Sequence, residues 1–313
     1  MKTALVGCTG FVGGNLAARH PFDGLYHASN VADAFGTRPE LLVYAGLPAA
    51  KYLANADPAA DLAVCGAAAE NMRRIAPERL VFISTVDVYA RPQNVWEDTP
   101  PDADNPAAYG RNRALLEARV RADFPQALIV RLPGLFGQGL KKNFLYDFIR
   151  VTPSMLNAEM FARLAGESLV KSAYAPAQNG FWGLRPDLSA EETVHLRAFF
   201  VQNGWNALSF TDSRSTYQFY DLARLWQDIS VALAAHLRLL NVATEPVGAA
   251  EVYAALTHGG VFANELPGAP ARYDMRSRCD ALFGGHNGYL YEKQQVLDDV
   301  CAFVRRALQQ APC

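Results

Sequence analysis

The stretch TALVGCTGFVGG, residues 3–14, constrains the chain more than any other. A short apolar run, Thr3 to Val6, ends at Gly7. Gly10 and Gly13 follow, and a helical pattern opens at Gly13 and runs to Arg19, where Pro21 closes it. An apolar strand that empties into a glycine loop and then a helix is the arrangement that receives a pyrophosphate. Gly7 allows the tight turn off the strand, Gly10 lets backbone approach phosphate, and Gly13 lets the helix pack close to the sheet. The free N–H groups of the helix start attract the anion. Thr9, Phe11 and Val12 complete the candidate dinucleotide loop, and Ala45 and Gly46, at the end of a later apolar run, are expected beside it.

Downstream, short apolar runs alternate with helical patterns. GLYHAS reads as a second strand and ELLVYAG, from Glu40 to Gly46, as a third. Leu62, Cys65, Ala69 and Met72 recur at helical spacing and predict a helix from Asp61 to Ile75. RLVFIST and ALIVRL read as buried strands on either side of a helix from Ala107 to Asp123. Such alternation predicts a parallel sheet built from crossover units.

After about Leu140 the rhythm weakens. TPSMLNAEMFARLAG and SAEETVHLRAFFVQNG read as separate helices, the second with Ser189 and Glu192 as a capping box. Leu222, Leu225, Trp226, Ile229 and Leu233 then form one helical face, LRLLNVAT reads as a returning strand, and a last helix is expected from Glu292 to Leu308. The predicted fold is an α/β, Rossmann-type doubly wound parallel sheet with a smaller, partly interleaved C-terminal lobe. The expected division places 1–140, with sheet-returning segments near 207–244, in the dinucleotide domain, and 141–206 with 245–313 mainly in a substrate lobe.

Composition narrows the functional classes. The chain has 313 residues, 50% hydrophobic and 19% charged, with a formal net charge of -2 and no Lys/Arg run, so a nucleic-acid partner is not expected. No apolar stretch reaches the ~20 residues of a membrane span. Cys8, Cys65, Cys279, Cys301 and Cys313 are odd in number and form no C-x-x-C pair. Neither a metal site nor a disulfide framework is expected, and a cytoplasmic location follows from the thiols.

The residues after the second strand bear on cofactor choice. An acid there would bind the adenosine ribose of NAD and repel a 2′-phosphate. His27, Ala28, Ser29 and Asn30 stand at that place, and no carboxylate occurs before Asp33. Ser29 and Asn30 suit a hydroxyl or a phosphate, Arg38 is the nearest downstream arginine, and the expectation leans from NAD towards NADP.

YGRNR, residues 109–113, is a further candidate. Tyr109 and Arg113 stand four apart and share a helix face. A free phenol ionises near pH 10, and a fixed cation beside it favours the phenolate. Arg113 supplies such a charge and a fork that fits ribose hydroxyls, yet a guanidinium cannot relay a proton. The alternative is a solvated helix in which Arg113 pairs with Glu117, also four residues on.

GCTGFVGG, VFISTVDVY, AAYGRNRALLE and IVRLPGLFGQG occur in the order and spacing of the extended short-chain dehydrogenase/reductases, and this part of the chain resembles their NAD-dependent epimerase/dehydratase group. The resemblance covers roughly Met1 to Lys142. It implies NAD(P), a nucleotide-sugar substrate and a homodimer as an open option. It places Thr85, with Ser84 its neighbour, at the hydroxyl position and Tyr109 at the catalytic tyrosine, while Arg113 replaces the family lysine. Family dehydratases carry two acids after the hydroxyl residue; here Val86 and Asp87 stand there, which disfavours dehydration. GLFG replaces the asparagine-containing segment of many epimerases. Asp87, Lys142, Asn143 and Arg214 are the candidates to meet the substrate.

The expected activity is thus NAD(P)-dependent oxidoreduction or epimerisation of a nucleotide-linked sugar. Tyr109 would be the general acid/base. The rival expectation is a protein that binds a dinucleotide or nucleotide sugar without turnover, as a sensor or regulator.

Overall fold

The computed structural model describes residues 2–102, 104–177 and 180–310. Strands β1 (Thr3–Val6), β2 (Gly24–Tyr26), β3 (Leu41–Tyr44) and β4 (Arg79–Thr85) join Leu128–Leu132 and Leu239–Asn241 in a six-stranded sheet. Every pairing in it is parallel. From one edge the order is β2, β1, β3, β4, Leu128–Leu132, Leu239–Asn241. The chain therefore moves to one side of β1 and then to the other, which makes the space beyond the ends of β1 and β3 the topological switch point. A 3-10 turn, Val31–Ala34, takes the chain from β2 towards β3, and β2 remains the edge strand.

Period-two alternation decides which face each strand residue buries. Leu5, Val43, Val81, Ile83, Leu128 and Val130 pack with Leu16, Leu225, Ile229 and Ala232. Ala4, Val6, Leu42, Tyr44, Leu80, Phe82 and Ile129 turn the other way, onto Cys65, Ala69, Met72, Leu116 and Val120. Helices α1 (Phe11–Ala17) and Leu225–Ala234 thus cover one face, while α3 (Pro58–Ile75) and α4 (Ala108–Asp123) cover the other, with α2 (Lys51–Ala56) preceding α3. Helix α3 starts earlier than its apolar spacing predicted. Asp57 caps it by accepting the Ala60 N–H at 3.0 Å, and Pro58 fills the first turn, where a missing N–H does no harm.

The chain divides into two compact units. One contains the residues through Gly139, Thr216–Val247 and Arg272–Val300; the other contains Leu140–Ser215, Gly248–Ala271 and the residues from Cys301 on. The second has its own core, with Leu156, Phe161, Leu164, Val170, Leu196 and Phe200. Phe161 stacks on Trp182 at 3.6 Å between ring centroids. The capping box at Ser189 forms as the sequence predicted: Glu192 takes the Ser189 N–H at 2.7 Å, and Ser189 takes the Glu192 N–H at 3.1 Å. TPSMLNAEMFARLAG is not one helix. Met155–Leu156 is a strand paired with Trp182–Leu184, and the helix begins only at Ala158, after Asn157 accepts the Met160 N–H. Pro153 holds the preceding residue out of helical geometry, and the Asn157 side chain resets the helix start.

Cys313 lies outside the described residues; among the described residues Cys8, Cys65, Cys279 and Cys301 form no disulfide. Among the described residues no helix is long and apolar enough to cross a membrane, and no group of three or more His, Cys, Asp or Glu side chains could hold a metal ion.

Candidate active site

The glycine loop lies at the switch point. Gly7 has φ of +95°, and a Cβ there would sit 2.4 Å from the Ala45 carbonyl oxygen. Gly7 is what lets β1 turn directly against the end of β3, so Ala45 and Gly46 do border the loop. The Gly7 and Cys8 N–H groups both donate to the Tyr26 carbonyl, at 2.7 and 3.1 Å, which ties the turn to β2. A Cβ on Gly13 would sit 2.1 Å from the Gly7 oxygen, so Gly13 allows the helix to press on the loop. Gly10 differs. It caps α1 in extended geometry, and a Cβ there meets only the Gly7 oxygen, at 3.2 Å. Its outer side is open, and the first-turn N–H groups of α1 have no carbonyl a turn back to bond. Backbone that is bare and open beside a helix start fits a dinucleotide pyrophosphate.

Beyond β2 the side chains are tied into a local turn. Asn30 Oδ1 accepts the His27 N–H at 2.7 Å, and Ser29 Oγ meets His27 Nδ1 at 3.0 Å. Asp33 is exposed in the 3-10 turn, and Arg38 is exposed with φ of +46°.

Thr85 closes β4, and Tyr109 opens α4 beside it. Gly110 makes the approach possible: a Cβ there would fall 1.9 Å from the Asp87 carbonyl oxygen. Asn105 Nδ2 donates to the same carbonyl at 2.9 Å, fixing the chain that leads into α4. The Thr85 hydroxyl donates to Asp87 Oδ2 at 2.9 Å and accepts the Asp87 N–H at 3.2 Å. With its one proton on Asp87, Thr85 presents an oriented oxygen to its neighbours.

Arg113 lies under Tyr109, 2% exposed, with its guanidinium carbon 3.8 Å from the ring centroid. It is not a surface residue and does not pair with Glu117. Its Nη1 donates to Asp61 Oδ2 at 2.5 Å and to the Tyr109 carbonyl at 3.3 Å, and its Nη2 donates to the Pro48 carbonyl at 2.8 Å. Asn112 donates to the same Asp61 oxygen at 2.9 Å. The fork expected to meet ribose is turned into the protein. The phenol is not lowered either. Burial holds Tyr109 above the ordinary tyrosine range; the Arg113 charge is the largest counterweight, Asp87 acts with burial, and Lys51 acts against it.

Ser84 faces elsewhere. Its hydroxyl donates to Glu117 Oε1 at 2.6 Å. Glu117 also takes Arg131 Nε at 2.9 Å and Nη2 at 2.6 Å, and Arg131 Nη1 donates to the Tyr89 hydroxyl. This ionic network is buried throughout, with Arg131 at 0% exposure. The sequence carried one sign of it: an arginine within LIVRL, an otherwise apolar strand, must find a buried partner.

Lys142, Asn143 and Arg214 belong to the second unit. Asn143 caps the helix Phe144–Arg150, accepting the Leu145 and Tyr146 N–H groups at 3.0 and 3.1 Å. Arg214 forks onto Asp212, at 3.0 and 2.6 Å, and meets Glu265 at 3.1 Å; its guanidinium holds the Asp212 carboxyl well below the usual carboxylate range.

Sequence reasoning missed Lys51 and Asn55. They stand one turn apart on α2 and both reach YGRNR: Asn55 Oδ1 accepts the Tyr109 N–H at 3.0 Å, and Lys51 Nζ lies 5.8 Å from the Tyr109 ring centroid. Lys51 also bonds both Asp87 oxygens, at 2.7 and 2.6 Å. Their four-residue spacing was the available signal, but the docking of α2 on α4 is a tertiary fact.

A family profile described as the RmlD substrate binding domain matches residues 1–166, more than half of the chain. The chain belongs to this family. The extended short-chain dehydrogenase/reductase resemblance stands at that broader level; the matching family is not the epimerase/dehydratase group to which the motifs pointed. Solved structures repeat the fold. A dTDP-4-dehydrorhamnose reductase from Yersinia enterocolitica is 12% identical, with a TM-score of 0.63 over 98% of this chain and 99% of that one. The Bordetella bronchiseptica enzyme WbmG, in complex with NAD and UDP, is 15% identical, with a TM-score of 0.64 over 98% and 94%. RMD from Pseudomonas aeruginosa, complexed with NADPH, is 15% identical, with a TM-score of 0.63 over 99% and 100%. No curated protein matches the chain.

Proposed function

We propose that this protein is an NAD(P)-dependent reductase of a nucleotide-linked keto sugar, with Tyr109 as the proton donor to the carbonyl oxygen. The observation that carries this reading is Tyr109 at the start of α4, where Gly110 lets the helix close on the Asp87 carbonyl just beyond Thr85 and the end of β4, in the same sheet whose switch point holds the open Gly10 backbone. Family membership and the reductases among proteins of the same fold support it.

When bound, the nicotinamide supplies the hydride that reaches the carbonyl carbon. This chain's own residues manage the oxygen. Thr85 would turn its hydroxyl proton from Asp87 to the substrate oxygen and so orient it, and Tyr109 would give its proton as the C–O bond takes up charge. Burial keeps the phenol protonated at neutral pH, which suits an acid better than a base. That protonation favours reduction over an epimerisation that must begin by taking a proton away. The Gly10 backbone and the start of α1 would hold the pyrophosphate, and the absence of an acid after β2 supports NADP at least as well as NAD.

A second reading rests on the Asp61–Arg113 pair, which engages the expected cation in a buried ion pair turned away from any ligand. On that reading the protein binds dinucleotide without turnover. NADPH absorbance in the presence of dTDP- and UDP-linked 4-keto sugars separates the two. The reductase reading expects sugar-dependent loss of absorbance with the parent, none with Tyr109→Phe, and unchanged NADPH affinity in that variant. Binding of NADPH with no oxidation by any sugar of the panel would support the second reading.

A further inference from the structure

Lys51 sits where no motif puts a functional residue. Its side chain is 50% exposed, whereas Asp87 is 18% exposed, and the ammonium lies on both Asp87 oxygens. Asp87 in turn receives the Thr85 hydroxyl, and Lys51 Nζ itself lies 5.8 Å from the Tyr109 ring centroid. Ammonium, carboxylate and hydroxyl thus form one bonded group, and its ammonium stands beside the Tyr109 ring. Helix α2 is pinned at this place by Asn55, which takes the Tyr109 N–H. Meanwhile the residue at the expected cation position, Arg113, has its charge matched by Asp61 and its surface sealed.

We infer that Lys51 is a positioning residue for Tyr109: its ammonium neutralises Asp87, and so lets the neighbouring phenol release its proton. This rests on the assignment of Tyr109 as the proton donor. The argument is one of sign. A bare carboxylate beside Thr85 opposes a negative charge on Tyr109, and a cation on that carboxylate removes the opposition. Every charged group that faces the phenol enters the balance. Arg113, backed by Asp61, and Lys51 favour the phenolate, whereas Asp87 and burial oppose it. Tyr273 also lies in the field of Lys51 and Asp87, so its phenol must be told apart from that of Tyr109. The chemistry is a single proton transfer: the Tyr109 O–H bond breaks, an O–H bond forms on the substrate oxygen, and the phenolate left behind stands against a neutralised Asp87.

The test follows the ionisation of Tyr109 itself and needs no substrate. The protein is made with a fluorinated tyrosine, whose phenol ionises at lower pH, and fluorine NMR follows each ring; the Tyr109 resonance is the one missing from Tyr109→Phe. Tyr109 is expected to ionise at higher pH in Lys51→Met and at lower pH in Asp87→Asn. It should return towards the parent in Lys51→Arg, which restores the charge, and in the Lys51→Met/Asp87→Asn pair, which removes both. A Tyr109 titration that Lys51→Met leaves in place overturns the inference. Should Lys51→Met not fold, an unmoved titration in Asp87→Asn overturns it equally. Once a substrate is found, Lys51→Met should lower kcat about tenfold or more with KM kept, within the range of general acid catalysis. Failure to find any turnover would count against the reductase reading while leaving the titration result intact.

Discussion

Arg113 carries a full charge into the interior, and Asp61 is what makes that tolerable. Removing one member of a buried pair leaves the other without compensation, at a cost of about 3–5 kcal/mol. Arg113→Ala is therefore expected to lower the unfolding free energy in urea by about that amount, because Asp61 loses its cation and keeps only the Asn112 amide, and the Pro48 carbonyl loses its Arg113 donor. Arg113→Lys keeps a charge near Asp61 but cannot span both acceptors, and should lose less. An Arg113→Ala variant as stable as the parent would show that Asp61 finds solvent or a proton instead. Tyr109→Phe keeps the ring over the guanidinium and removes only the hydroxyl, so its stability should change by about 1 kcal/mol or less. The pH dependence follows in sign. On the proposed reading the protonated phenol is the active form, and its folded-state value lies above the ordinary one, so its contribution to kcat/KM should be flat through neutrality and fall only as the pH rises through that value. YGRNR disclosed its phenol and its cation to a reader of the sequence. What it did not disclose was that the cation would be sealed against Asp61, because Asp61 is 52 residues away and carries no local mark.

Elements were legible wherever a local cause defines them. The strand–glycine–helix start, the capping box at Ser189 and the buried strand RLVFIST all formed, since each depends on neighbours in sequence. Where a side chain resets the backbone, as Asn157 does, apolar spacing alone misled. The glycine loop allows a test that separates packing from binding. Gly13→Ala puts a methyl 2.1 Å from the Gly7 oxygen, inside backbone that cannot yield cheaply, and should cost about 3 kcal/mol of stability. Gly10→Val places its side chain on the open side, where only the Gly7 oxygen is near, so the fold should survive while calorimetry finds dinucleotide affinity lost. Equal affinity in parent and Gly10→Val would move the pyrophosphate away from this loop.

At the scale of the molecule, the parallel sheet was legible because strands buried on both faces read as continuous apolar runs. The strand order was not, since pairing in a parallel sheet joins segments far apart in sequence: β4 lies against Leu128–Leu132, and that strand against Leu239–Asn241. The order matters for the proposed cofactor because it puts the switch point between β1 and β3 and leaves β2 at the edge, with His27, Ser29 and Asn30 following it in place of an acid. A ligand that binds only the folded chain raises its stability by mass action, by about 2.7 kcal/mol at a hundredfold excess over Kd, which for a chain of this size is about 5 °C in melting temperature. NADPH at saturation should therefore raise the melting temperature of the parent by about this much, and NADH at the same concentration by no more. Tyr109→Phe should keep the shift, because the proposed role of its hydroxyl is at the substrate oxygen, and Gly10→Val should lose it. A larger shift with NADH than with NADPH would mean that the turn at Ser29 and Asn30 repels the 2′-phosphate despite lacking a carboxylate. A shift that persists in Gly10→Val would show that the dinucleotide stabilises the fold from another place.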